Sequence, residues 1–279
     1  MRIINGEIIV DSVEKLCGDA NYYLGEDIIN HFDTLLKKEE SSNGIEVLNQ
    51  LKENALISKN ENKPICQDTG MAIVFVEIGE DIFIEGNIES LINEGIRRGY
   101  KKYYLRKSIV EDPIFRKNTN DNTPGIIHIK FVKGDKLKIT VVPKGFGSEN
   151  MSQIKMMAPS DGIQGIKNFV VKTVEQAGPN PCPPIIVGVG IGGNFEYSAY
   201  LSKKALLRKI GERNENSFYS DLEIELLNSI NNLGIGPQGY GGRTTAMEVF
   251  IETHPTHIAG MPVAVNIVCH VNRHKEIII

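Results

Sequence analysis

The chain has 279 residues, 41% hydrophobic and 24% charged, with a formal net charge of −4. That length buries enough surface to fold without disulfides, and the slight acidity argues against a broad nucleic-acid or anionic-membrane surface. No run of about 18 apolar residues is available for a membrane span, and the N-terminus lacks the basic start and apolar core of a signal peptide, so a cytoplasmic location with reduced thiols is expected.

Residues 1–10 read as a short strand broken at Asn5-Gly6. Residues 11–57 read as helices. Val13, Leu16 and Cys17 recur at helical spacing, as do Ile28, Ile29, Phe32, Leu35 and Leu36. Asp11 or Ser12 is the expected first cap, and 41–44 breaks the run before a third helix. The turn-rich stretch 61–70 leads into an apolar strand over 71–78, and a basic helix is expected over 91–107. Strands over 126–131 and 136–142, separated by Lys133-Gly134-Asp135, predict a hairpin. A helix over 161–176 with Ser160 as cap follows, then a short strand over 185–189. Helices over 197–210 and 221–230 precede strands over 247–253 and 263–271. Helices first and mixed elements afterwards give an α+β (mixed α/β) class: one two-lobed domain, 1–279, with mixed β-sheets flanked by helices.

Three of the four cysteines lie where chemistry is usually found. Cys66 and Cys182 occupy turn-forming segments, and Cys269 ends an apolar strand, whereas Cys17 falls on the apolar face of a helix. No CxxC is present, so neither a zinc ribbon nor a ferredoxin spacing applies. Three thiolates brought together by folding would hold a cubane cluster with one iron open to act as a Lewis acid; the alternative is three inert thiols. Asp68 is two residues from Cys66. It is placed to move a proton to or from a metal-bound hydroxyl, or simply to hydrogen-bond backbone N–H groups as turn aspartates do.

Other motifs compete. Gly188 to Gly193 satisfies G-x-G-x-x-G after a strand and before a helix, which supports a dinucleotide-dependent oxidoreductase. His254 and His257, with Cys269, His270 and His274, offer a zinc or iron site. Arg97, Arg98, Arg106, Lys144 and Arg243 are basic groups suited to carboxylates. The Gly239–Thr245 loop carries Arg243 and two hydroxyls and suits a small anion.

Six motifs taken together closely resemble the α part of class I, iron–sulfur-dependent fumarate hydratase, and the related tartrate dehydratase α subunit. They are KPICQDTG (63–70), YLRKSIV (104–110), PKGFGSEN (143–150), CPPIIVGVGIGG (182–193), GIGPQGYGGRTTAMEV (234–249) and THPTHIAGMPVAVNIVCH (253–270), in order over nearly the whole chain. The resemblance implies that Cys66, Cys182 and Cys269 ligate a [4Fe–4S] cluster with one iron not held by protein. It implies that Gln67 and Asp68 contact substrate, Asp68 as acid/base. Arg106 would bind a substrate carboxylate and His257 would be the active-site histidine. Gly145 and Gly147 lie in a loop that contacts substrate through its backbone, and the resemblance does not choose between them. Phe146 departs from the small residue expected there, and Cys17 matches no ligand. A C-terminal β domain has no counterpart, so a separate β subunit in an α2β2 assembly is the expected partner. The implied reaction is reversible hydration of fumarate to (S)-malate or dehydration of tartrate.

Overall fold

A computed structural model describes residues 1–279. In chain order, β1 is Arg2–Asn5, α1 Gly6–Tyr22, α2 Glu26–Lys38, α3 Ser42–Glu61, β2 Met71–Gly79 and β3 Ile82–Glu85. Next come α4 Ile88–Lys102, β4 Ile126–Val132, β5 Leu137–Lys144, α5 Phe146–Glu149, β6 Gln153–Met157 and α6 Gly162–Ala177. The remainder is β7 Ile185–Gly193, α7 Phe195–Ala205, α8 Ser217–Asn231, β8 Ala246–Thr256, β9 Met261–Val268 and β10 Lys275–Ile278. The mixed α+β class expected from the sequence is the class observed. No helix is long and apolar enough to cross a membrane. The chain divides into two units, each built from discontinuous segments.

The first unit is Met1–Leu24, Ala55–Phe146 and Arg273–Ile279. Its main sheet has the order β10-β5-β2-β4, and β1 pairs with β3 in parallel. The expected hairpin is not formed: β2 lies between β4, its parallel partner, and β5, its antiparallel one. The reason is burial. β2 is apolar almost throughout and is satisfied only in the middle of a sheet, whereas β4 carries exposed Ile126 and Phe131 and takes the edge. Helices α1 and α4 cover the sheet, closing a core that includes Ile9, Val13, Cys17, Val74, Ile96 and Tyr100. Helix α1 starts earlier than expected, because Asn5 rather than Asp11 or Ser12 caps it by accepting the Glu7 N–H at 2.9 Å.

The second unit is Gly25–Asn54 and Gly147–Asn272. Its sheet has the order β6-β9-β7-β8, with β7 parallel to β8 and antiparallel to β9. Val187, Val189 and Ile191 point to one face and pack with α6 and α8, while the alternate Gly188 and Gly190 face α7. A Cβ on Gly188 would lie 2.0 Å from the Ser202 carbonyl oxygen, and one on Gly190 2.0 Å from that of Ser198. This corrects the dinucleotide reading. The glycines lie inside the strand rather than in a phosphate loop, and they are needed because a helix backbone packs against them. Ser160 is not the α6 cap either. It sits inside a 3-10 turn, Pro159–Asp161, and the Asp161 carboxylate accepts the Ala158 N–H.

Candidate functional site

In the first unit, the 65–70 segment is held at every turn by polar partners. Gly70, at φ +78°, passes so close to β5 that a Cβ would lie 2.7 Å from the Lys144 nitrogen. The buried Tyr100 hydroxyl faces the Thr69 and Gly70 carbonyls, both at 2.9 Å; burial holds its proton well above the usual phenol range. Asn122 accepts the Ser108 N–H at 2.7 Å and donates to the Gly70 carbonyl at 3.2 Å. The Thr69 hydroxyl donates to the Arg106 carbonyl at 3.1 Å. These bonds fasten the Arg106 loop to the Asp68 loop.

Asp68 is fixed through both carboxylate oxygens. Oδ1 accepts the Gly70 N–H at 2.9 Å and Oδ2 the Phe146 N–H at 2.8 Å. A Cβ on Gly145 would lie 3.3 Å from the same Oδ2, so the loop approaches Asp68 at a residue without a side chain. Gly147 instead has the Asn180 carbonyl as its neighbour. Cys66 is half-buried with its thiol 3.5 Å from Gln67 Oε1, and Gln67 is exposed.

Of the basic groups weighed from the sequence, Arg97 pairs with Glu94 and Asp121, Arg98 with Glu7 and Glu94, and Arg243 with Glu40. Arg106 is exposed and no carboxylate of the chain takes it. Lys144 is buried and donates to the Gly145 carbonyl at 3.3 Å.

In the second unit, Cys182 lies in the turn before β7 and Cys269 directly follows β9, at the same end of the sheet because the two strands are antiparallel. Cys182 is exposed with φ +58°. His270 holds that turn: its Nδ1 is 3.2 Å from the Cys182 carbonyl oxygen and 3.4 Å from Gln238 Nε2. Gln238, also in the left-handed region at φ +50°, donates its backbone and side-chain N–H to the Pro183 carbonyl at 2.8 and 2.7 Å.

His257 lies elsewhere. It follows Thr256, which is level with Gly193 at the far end of β7. Eight strand residues at about 3.3 Å each separate that end from the cysteine end by about 26 Å. The exposed His257 accepts the Ala259 N–H on Nδ1 at 3.1 Å, which leaves Nε2 as the ring's donor. Beside it, Gly193, Asn194, Tyr197, His254 and Thr256 line a shallow hollow. This arrangement removes the histidine-rich zinc reading, since His254 and His257 are at the opposite end from Cys269 and His270.

The Gly239–Thr245 loop does hold an anion, but the anion is the protein's own. Glu39 accepts the Arg243 N–H at 3.0 Å and the Thr244 N–H at 2.8 Å, besides those of Glu40 and Ser41. Burial works against its charge and the ring of donors outweighs it, leaving the Glu39 carboxyl below its usual range.

No three cysteine, histidine or carboxylate side chains gather into a metal-holding group; of the three candidate thiols, Cys66 belongs to the first unit and Cys182 and Cys269 to the second. The donor chemistry nonetheless suits a cluster. Cys66, Cys182 and Cys269 form no disulfide and lie outside the cores, whereas burial pushes the Cys17 thiol up to about 12, where it stays protonated. The sequence reading missed Tyr100, Asn122 and Glu39, which stand in no motif, and Gln238, which stands in the 234–249 motif but was not singled out; only the polar cluster after Cys269 hinted at Arg273.

Residues 10–278 match the profile of the family described as Fumarate hydratase (Fumerase). A Methanocaldococcus jannaschii protein provisionally named the alpha subunit of L(+)-tartrate dehydratase is 44% identical over 273 residues, 95% of each chain. Proteins of Escherichia coli O157:H7 and Shigella sonnei named L(+)-tartrate dehydratase subunit alpha are each 33% identical over 257 residues, 91% of this chain and 85% of theirs.

Proposed function

Because the chain belongs to the fumarate hydratase (Fumerase) family of hydro-lyases, we propose that it is the α subunit of an iron–sulfur hydro-lyase that interconverts fumarate and (S)-malate. The observation that carries this reading is the Asp68 carboxylate, held by the Gly70 and Phe146 N–H groups two residues from the accessible Cys66 thiol. Cys66, Cys182 and Cys269 would hold a [4Fe–4S] cluster, which when bound supplies a Lewis-acidic iron to a substrate hydroxyl.

The carbon-bound proton lost in dehydration goes to a base that the β subunit would supply, and the chain's own residues do the rest. Asp68 gives a proton to the departing hydroxyl, or takes one from water in the reverse direction, through carboxylate lone pairs left over after its two backbone bonds. Arg106, with no carboxylate partner inside the chain, takes a substrate carboxylate and fixes its orientation. Gln67, exposed beside Asp68 in sequence, donates to the substrate, and the Gly145–Gly147 loop brings backbone close to it. His257 presents Nε2–H. Its position at the far end of the second unit's sheet, away from Cys182 and Cys269, supports a role in the site of a second copy of this chain. The relatives' names as α subunits support a separate β subunit, with an α2β2 assembly as the simplest arrangement that meets both needs.

A second reading, dehydration of L(+)-tartrate, is favoured by those same names. The test is anaerobic co-expression with the partner subunit, followed by iron and sulfide analysis and a hydratase assay on fumarate, (S)-malate, L(+)-tartrate and mesaconate. Turnover of fumarate supports the first reading and turnover of tartrate alone the second. Iron-loaded protein inactive on every diacid would overturn both.

A further inference from the structure

We propose that Arg273 is a positioning residue for Asp68, an inference that rests on the reading of Asp68 as the acid/base group. Arg273 belongs to the first unit, two residues before β10, and is only 4% exposed. Its Nε–H donates to the Pro143 carbonyl at 3.2 Å, and an Nη2–H donates to the Asp68 carbonyl. One planar group therefore spans the two segments that meet at the Asp68 side chain. With the Phe146 N–H on Oδ2, the bonds form a closed ring: Asp68 carbonyl, Arg273, Pro143 carbonyl, the backbone to Phe146, and back to the Asp68 carboxylate. Neither loop can shift without breaking a member of that ring.

The guanidinium is not there as half of an ion pair. No carboxylate pairs with it, and its Nη1 is buried without a hydrogen-bond partner. A buried cation without a counter-charge opposes folding, so packing alone does not account for it. Two carbonyls on different segments need two N–H vectors in a fixed plane, which Arg supplies and Lys, a point charge on a flexible stem, does not. The Arg273 charge and the Asp68 carboxylate both act electrostatically on the buried Tyr100 hydroxyl, in opposite senses.

The test compares wild type with Arg273→Met and Arg273→Lys in the full chain assembled with its partner subunit. Hydrogen exchange of the amides in 67–70 and 143–147 is expected to be about tenfold faster in Arg273→Met, as for the loss of a hydrogen bond. On the preferred diacid, kcat is expected to fall about 10- to 100-fold with KM within about threefold, and Arg273→Lys is expected to lie between. If Arg273→Met does not fold, Arg273→Lys carries the same comparison. Unchanged exchange, or faster exchange with wild-type kcat, would overturn the proposal. So would a raised KM at unchanged kcat, which would make Arg273 a substrate ligand. Asp68→Asn measured alongside separates the two levels. Full turnover in that variant sinks the acid/base reading, while the exchange data still decide whether the brace exists.

Discussion

The Phe146 N–H donates to Oδ2 of Asp68 at 2.8 Å across 78 residues of sequence, and the Gly70 N–H occupies Oδ1. The aspartate is thus the turn residue that local chemistry predicts and also the group proposed to carry the proton. The two roles do not conflict, because a carboxylate has more lone pairs than backbone partners here.

Replacing Asp68 by Asn sets an amide N–H against either the Gly70 or the Phe146 donor and removes the proton carrier. Turnover is expected to fall by about 100-fold or more, with the near-ultraviolet dichroism and iron content of wild type. Retained kcat on every diacid would rule out the assignment.

The thiols should separate by exposure. Cys66→Ser, Cys182→Ser and Cys269→Ser are each expected to lose iron and sulfide when purified without oxygen, whereas Cys17→Ser should keep them, since Cys17 is sealed in the core beneath α1. Equal iron in all four variants would refute the ligand set.

Cys17 also makes stability depend on pH. Desolvation, helped by Glu14, pushes its thiol from the ordinary 9.0 up to about 12. Between those values the folded chain keeps a proton that the unfolded chain releases. The stabilisation is therefore complete below about pH 9 and is lost toward pH 12, at about 1.4 kcal/mol per pH unit. Urea midpoints from about pH 8 to 11 should fall more steeply for wild type than for Cys17→Ala; parallel slopes would contradict this.

Placing His257 at the far end of its sheet predicts complementation. His257→Ala and Cys66→Ser, each inactive alone, should regain activity when co-assembled, because one mixed site then combines an intact Cys66 with an intact His257. Activity that stays absent in verified mixed assemblies would show that His257 does not act across copies.

Gly190→Ala should destabilise the second unit by about 3 kcal/mol or more, since the new methyl lies 2.0 Å from the Ser198 carbonyl oxygen. Thermal unfolding measures it. Calorimetry with NAD should show no binding to wild type, whose glycines accommodate α7.

Much of the site was legible because exposure and turn chemistry are local. Cys66 and Cys182 stand in segments that cannot be helical, and Cys17 stands on an apolar helical stripe. The same local signals misled where two elements were neighbours in sequence but not in space. The Lys133–Asp135 turn looks like a hairpin turn, yet β2 separates the two strands. The Gly239–Thr245 loop looks ready for a free anion, yet Glu39, some 200 residues earlier, fills it.

Residue type and spacing alone determined which side chains are able to do chemistry and most of the strands and helices, β3, α5, β6 and β10 excepted, because each depends on a few consecutive residues. Only the tertiary structure decided what those side chains meet: Asp68 with Phe146, Arg273 with Asp68 and Pro143, His257 with the end of the sheet away from Cys182. Sheet order and long-range hydrogen bonds come from which apolar faces bury one another, and no short window of sequence contains both faces.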